Sequence, residues 1–234
     1  MIGYGYIIIF VAFMLLSMII GGQLKSRFRQ YSKIPTNYGL SGKEVAEKML
    51  HESGIHDVRV ISVQGQLSDN YNPETKTVNL SADVYNGRNI AAAAVAAHEC
   101  GHAVQHAQAY SMLKLRTALV PIQTISAKIM NFIFIMMFFG VFFVGNVLSL
   151  DTALYIIVGC YAVFTLFALV TLPVEINASH RALVWLSSAG ITSKGTYEKA
   201  KDALKWAAYT YVIAALSSLA MLLYFLFMLA GRRD

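Results

Sequence analysis

The sequence predicts a mainly α-helical membrane protein with four transmembrane helices and a small cytoplasmic α/β domain. Three observations carry that expectation. Of 234 residues, 56% are hydrophobic and only 14% are charged, against about 45–50% and about 25% in soluble globular domains. The apolar excess is gathered into four runs rather than spread along the chain, which points to membrane spans rather than an oversized core. Between the first and second runs lies a polar stretch with helix and strand signals of its own.

The runs cover residues 4–22, 129–150, 152–174 and 207–230. Each is long enough, as a helix, to cross a hydrocarbon layer of about 30 Å. The first has no basic residue before it and no small-residue cleavage signature after it, so an uncleaved anchor is expected. The second and third are separated only by Ser149–Asp151 and their neighbours, as in a tight helical hairpin. Asn146 and Asp151 are placed to sit at its interface.

Basic residues set the orientation. Lys25, Arg27, Arg29 and Lys33 follow the first run, and Lys114, Arg116 and Lys128 approach the second. Arg181, Lys194, Lys199, Lys201 and Lys205 follow the third. The turn between runs two and three carries none. Four spans with both polar segments cytoplasmic satisfy this pattern, and Arg232 and Arg233 alone violate it. The net charge of +6 is accounted for by juxtamembrane anchoring to anionic lipid. No aromatic-interleaved basic stripe accompanies it, so no nucleic-acid partner is expected. Cys100 and Cys160 form no disulfide framework, in keeping with a reducing compartment for the polar part.

In residues 23–118, SGKE at 41–44 is a capping box, with Ser41 as N-cap and Glu44 reaching back. The helix it opens carries Val45, Met49 and Leu50 on one face, and Gly54 supplies its stop. Val58, Val60, Ile61 and Val63 read as a strand. After the turn-rich DNYNPE at 69–74, residues 75–80 read as a second strand, expected to pair antiparallel with the first. An alanine-rich helix follows at 91–97 and runs directly into HECGH.

That pentapeptide, His98-Glu-Cys-Gly-His102, matches HExxH. Positions four apart share a helix face, so both imidazoles can reach one ion, with Glu99 beside them to take a proton from a water. Zinc needs a third protein ligand. His106 continues the spacing but lies about 12 Å from His98 along a straight helix. Ala-Val-Gln between them offers no break, so His106 is expected at the surface or bracing the site.

Glu175 is the better candidate. Two spans separate it from the motif, so the chain leaves and returns to one membrane face and brings a carboxylate back with it. As an interfacial charge it would need no other explanation. His180 competes as ligand, oxyanion donor or solvated residue, with the solvated reading first. His51 and His56 are expected to be exposed.

At these residues the chain resembles the YugP-like neutral zinc metallopeptidases of bacterial membranes. The resemblance rests on SDNYNPETKTVNL at 68–80, AHECGHAVQ at 97–105, RTALVP at 116–121 and LPVEINASHRA at 172–182. It implies one Zn²⁺ per chain on His98, His102 and Glu175 in a gluzincin-like arrangement, with Glu99 as catalytic acid/base. More distantly the chain is similar to the HtpX and CAAX-processing membrane proteases, which carry Glu-x-x-x-Asp downstream. The Asp position is Ser179 here, which leaves open what orients the first histidine. No family role transfers to His180.

The expected organisation is an anchor helix at 1–22, an α/β domain with the HExxH helix at 23–118 and a transmembrane hairpin at 119–174. A cytoplasmic helical segment with the third ligand follows at 175–206, then a last helix and C-terminus at 207–234. The expected activity is endopeptidase hydrolysis of a protein or peptide substrate by a metal-activated water, with Glu99 as general base. Tyr71, His180 and Arg181 are the candidate oxyanion donors. Residues 75–80 are expected as an edge strand for an extended substrate. Two other classes compete: a zinc-binding but proteolytically inactive membrane scaffold or regulator, and a small transporter, which the scarcity of ionisable residues in the spans disfavours. Gly140, Gly145 and Gly159 permit close helix packing, including in a homo-oligomer.

Overall fold

The structure is a computed structural model and describes residues 4–139 and 149–231. Expectations at Gly140, Gly145, Asn146, Arg232 and Arg233, and the end of the second run, fall outside the described residues. In chain order the elements are α1 (Tyr4–Tyr31), α2 (Gly42–Glu52), β1 (Arg59–Val63), β2 (Asn70–Asn72), β3 (Thr77–Ser81) and α3 (Ala82–Asn86). Helices α4 (Ile90–Ala107), α5 (Ser111–Phe139), α6 (Leu150–Ser188) and α7 (Lys194–Ala230) complete the described residues. They divide into two units. One holds Met1–Met18, Leu115–Leu172 and Tyr211–Asp234, the other Ile19–Lys114 and Pro173–Thr210.

The first unit is built from apolar stretches of α1, α5, α6 and α7. These are four helices long and apolar enough to cross a membrane among the described residues. A core of Met130, Ile133, Leu154, Ile157, Met221 and Phe225 holds it together, with Tyr161 stacked on Phe225 at 5.5 Å between ring centroids. Its outward surface is no less apolar: Ile8, Phe10, Leu15, Phe132 and Phe227 are exposed. A helix that is hydrophobic all round and still exposed has hydrocarbon, not water, as its medium. α5 begins at Ser111, earlier than the hydrophobic run at 129 suggests, because the amphipathic turns before the run are helical too.

The second unit is layered. Ser41 caps α2 as expected: its Oγ accepts from the Glu44 N–H, and the Glu44 carboxylate accepts from the Ser41 N–H at 2.7 Å. α2 buries Val45, Met49 and Leu50 in a core that also holds Ile90, Val78, Leu80, Leu186 and Ile191. Ala92, Ala93, Ala96 and Ala97 of α4 are fully enclosed there. Side chains this small let neighbouring backbones come close while forming helix well.

The sheet corrects two expectations. Its order is β1-β3-β2. β1 pairs with β3 in parallel, Arg59 opposite Thr77 and Val63 opposite Ser81, not antiparallel. The stretch expected as a turn contributes β2, which takes the far edge of β3 antiparallel. A crossover through that third strand reverses the direction in which β3 returns. β3 is therefore the central strand, with Thr77, Val78, Leu80 and Ser81 buried, and it has no open edge for an added strand. The outer edges belong to β1 and β2.

Candidate metal centre

Helix α4 is set by Asn89, whose side chain accepts from the Ala92 N–H at 2.9 Å and caps the first turn. The helix then runs unbroken through His98, Glu99 and His102 to Ala107. The two imidazoles lie one turn apart on one face, 4.8 Å between ring centroids and nearly perpendicular. Glu175 comes to them from α6, 2% exposed. Its Oε2 lies 3.2 Å from His98 Nε2 and 3.4 Å from His102 Nε2. One donor atom from each of the three falls within 4.8 Å of the others.

Gly101 makes that meeting possible. A Cβ at this position would stand 2.5 Å from the Ala178 carbonyl oxygen and 3.1 Å from the Ala178 Cα, so α4 and α6 touch here backbone to backbone. Ala178 is three residues, roughly one turn, beyond Glu175. On propensity alone, Gly101→Ala would stabilise the helix by about 1 kcal/mol. The clash reverses the sign, and the variant is expected to lose about 1–3 kcal/mol together with zinc affinity. A thermal melt in detergent and a zinc titration check both, and an unchanged or raised Tm would contradict the contact.

Glu99 is 8% exposed and accepts a hydrogen bond at 3.0 Å from the backbone N–H of Tyr71 on β2. Burial pushes its carboxyl pKa up. For His102, burial acts downward, but the adjacent Glu175 carboxylate outweighs it and the imidazole is raised. Cys100, between the functional letters, is buried with its thiol toward the Ala46 carbonyl. Burial raises its pKa well above the usual thiol value, so it contributes no thiolate.

The remaining ring nitrogens are also partnered. His98 Nδ1 lies 3.1 Å from the Ser179 hydroxyl, an orienting contact for the first histidine of the motif. His102 Nδ1 lies 3.0 Å from Gln105 Oε1. His106 is exposed, with Nδ1 2.8 Å from the Tyr71 hydroxyl. Arg181 is engaged by Asn177 and Gln108, both at 2.7 Å. His180, His51 and His56 are exposed. Sequence reasoning missed the Tyr71 N–H and Gln105. A backbone donor leaves no trace in side-chain identity, and a glutamine on a helix carries no signal until its burial is known.

The donor set fits zinc. Two imidazole nitrogens and a carboxylate oxygen, with a further position open, are a familiar catalytic set. Two ligand atoms at about 2.0–2.1 Å from a tetrahedral zinc lie about 3.3–3.4 Å apart, and the two contacts to Glu175 measure 3.2 and 3.4 Å.

The family described as "Putative neutral zinc metallopeptidase" matches residues 6–230. The chain belongs to this family. It is also 39% identical, over 214 residues covering 91% of each protein, to the "Putative membrane protease YugP" of Bacillus subtilis (strain 168). No solved structure matches it. The family match is nearly complete in length, and it takes in the motif helix, Glu175 and nearly all of the four apolar helices among the described residues.

Proposed function

We propose that this chain is a cell-membrane zinc endopeptidase that holds one Zn²⁺ on His98, His102 and Glu175 and faces the cytoplasm. The observation that carries the reading is the convergence of those three side chains beside the buried carboxylate of Glu99. The family match and the similar membrane protease of Bacillus subtilis support it. Basic residues flanking the apolar runs support the cytoplasmic side.

Zinc bound there would supply Lewis-acid polarisation of the scissile carbonyl and of a water. Glu99 removes the proton from the attacking water and delivers it to the leaving amine. The Tyr71 N–H fixes one of its carboxylate oxygens. Ser179 and Gln105 hold the two imidazoles from behind. With β3 enclosed, β2 is the edge strand that reaches Glu99, and it is where an extended peptide would lie.

The test is cleavage of casein by the full chain purified in detergent. Hydrolysis should cease on chelation and return with added zinc. A chain that binds zinc stoichiometrically but cleaves no protein or peptide would instead be a metal-binding scaffold.

A further inference from the structure

A buried amide must satisfy both of its ends, and Gln105 is fully buried one turn after His102. Its Nε2 donates to the Val174 carbonyl at 2.8 Å and to Asn177 Oδ1 at 2.9 Å. Both N–H groups are thereby taken by α6. What remains toward His102 is the Gln105 carbonyl oxygen, 3.0 Å from Nδ1, and a carbonyl oxygen only accepts.

The direction of this chain is set twice, by the Val174 carbonyl, which only accepts, and at the far end of the chain. Arg181 can only donate, and its Nε bonds Asn177 Oδ1 at 2.7 Å. Asn177 must therefore present its oxygen, so Gln105 must present its amino group to Asn177 and its oxygen to His102. A flipped Gln105 would set its carbonyl against two acceptors at once. We infer that Gln105, oriented by the Val174 carbonyl and by Arg181 through Asn177, locks His102 in the tautomer protonated on Nδ1, leaving the Nε2 electron pair for the metal. Gln105 and Arg181 are positioning residues: neither contacts Glu175 or Glu99 in the bonds that carry this argument. Arg181, a candidate oxyanion donor on sequence, is here the fixed end of a relay. The inference rests on the metal reading above, because a tautomer matters only if Nε2 is to be a ligand.

The experiment uses the full chain in detergent, ¹⁵N-labelled at histidine, with zinc as the probe. In the zinc-loaded wild type, His102 should be protonated on Nδ1 and coordinated through Nε2, with a slowly exchanging Nδ1 proton. Gln105→Met should lose that protected proton and bind zinc about 10–100-fold more weakly in competition with a chelating dye. Arg181→Met should weaken binding in the same direction and add nothing in the Gln105→Met background, as expected of one connected network. Coordination through Nδ1 in the wild type overturns the inference. So does a folded Gln105→Met that binds zinc within threefold of wild type. Should Gln105→Met not fold, the wild-type spectrum and Arg181→Met decide. A wild type that takes up no zinc sinks the metal reading and this inference together, whereas the preceding outcomes sink the inference alone.

Discussion

Glu99→Gln should retain one zinc per chain while peptide hydrolysis falls by about 10²–10⁴-fold, the usual contribution of a general base. The amide keeps the volume of the carboxylate, and its oxygen still accepts from the Tyr71 N–H, so β2 and α4 stay in place. What disappears is the basic electron pair. Glu99 contributes nothing to the cluster formed by His98, His102 and Glu175, and for that reason metal content and activity should separate. Measuring casein cleavage and zinc content on the same preparation checks both halves. Full activity in the variant would refute the role assigned to Glu99.

Glu175→Gln should fail differently, losing the metal first and the activity as a result. The Glu175 carboxylate meets both imidazoles, and its replacement by a neutral amide removes the negative charge from the donor set. Apparent zinc binding of about 10–16 kcal/mol over four ligands is about 2.5–4 kcal/mol for each. Losing one should weaken affinity by about 10²–10³-fold. Equilibrium competition against a chelator of known affinity measures this directly. Retention of wild-type zinc affinity would remove Glu175 from the ligand set, and His180, exposed as it is, would have to be reconsidered.

The two variants also separate what the sequence disclosed from what it did not. His98, Glu99 and His102 were legible because their spacing is a property of one helix. Glu175 was legible through topology and through the resemblance at 172–182: an even number of apolar runs between it and the motif permits the approach to His98 and His102 that the structure contains. The capping box at Ser41 and Glu44 was equally local and equally readable. The sheet was not. Asn70-Tyr-Asn72 is too short and too polar to show a two-residue period, so β2 passed for a turn, and the direction and centrality of β3 were lost with it. Gln105 and the Tyr71 N–H were out of reach for another reason. Their roles depend on which atoms face which across elements far apart in the chain, and periodicity carries no information about that.

A consensus written HExxH treats its third and fourth letters as free, yet in this protein they have the least room of the five. Cys100 points its sulfur into the seam against α2, and residue 101 has no space for even a methyl group. A catalogue of tolerated substitutions should therefore come out inverted. The letters that define the motif would keep a folded chain when exchanged for neutral isosteres, while the nominally silent pair would reject nearly everything larger.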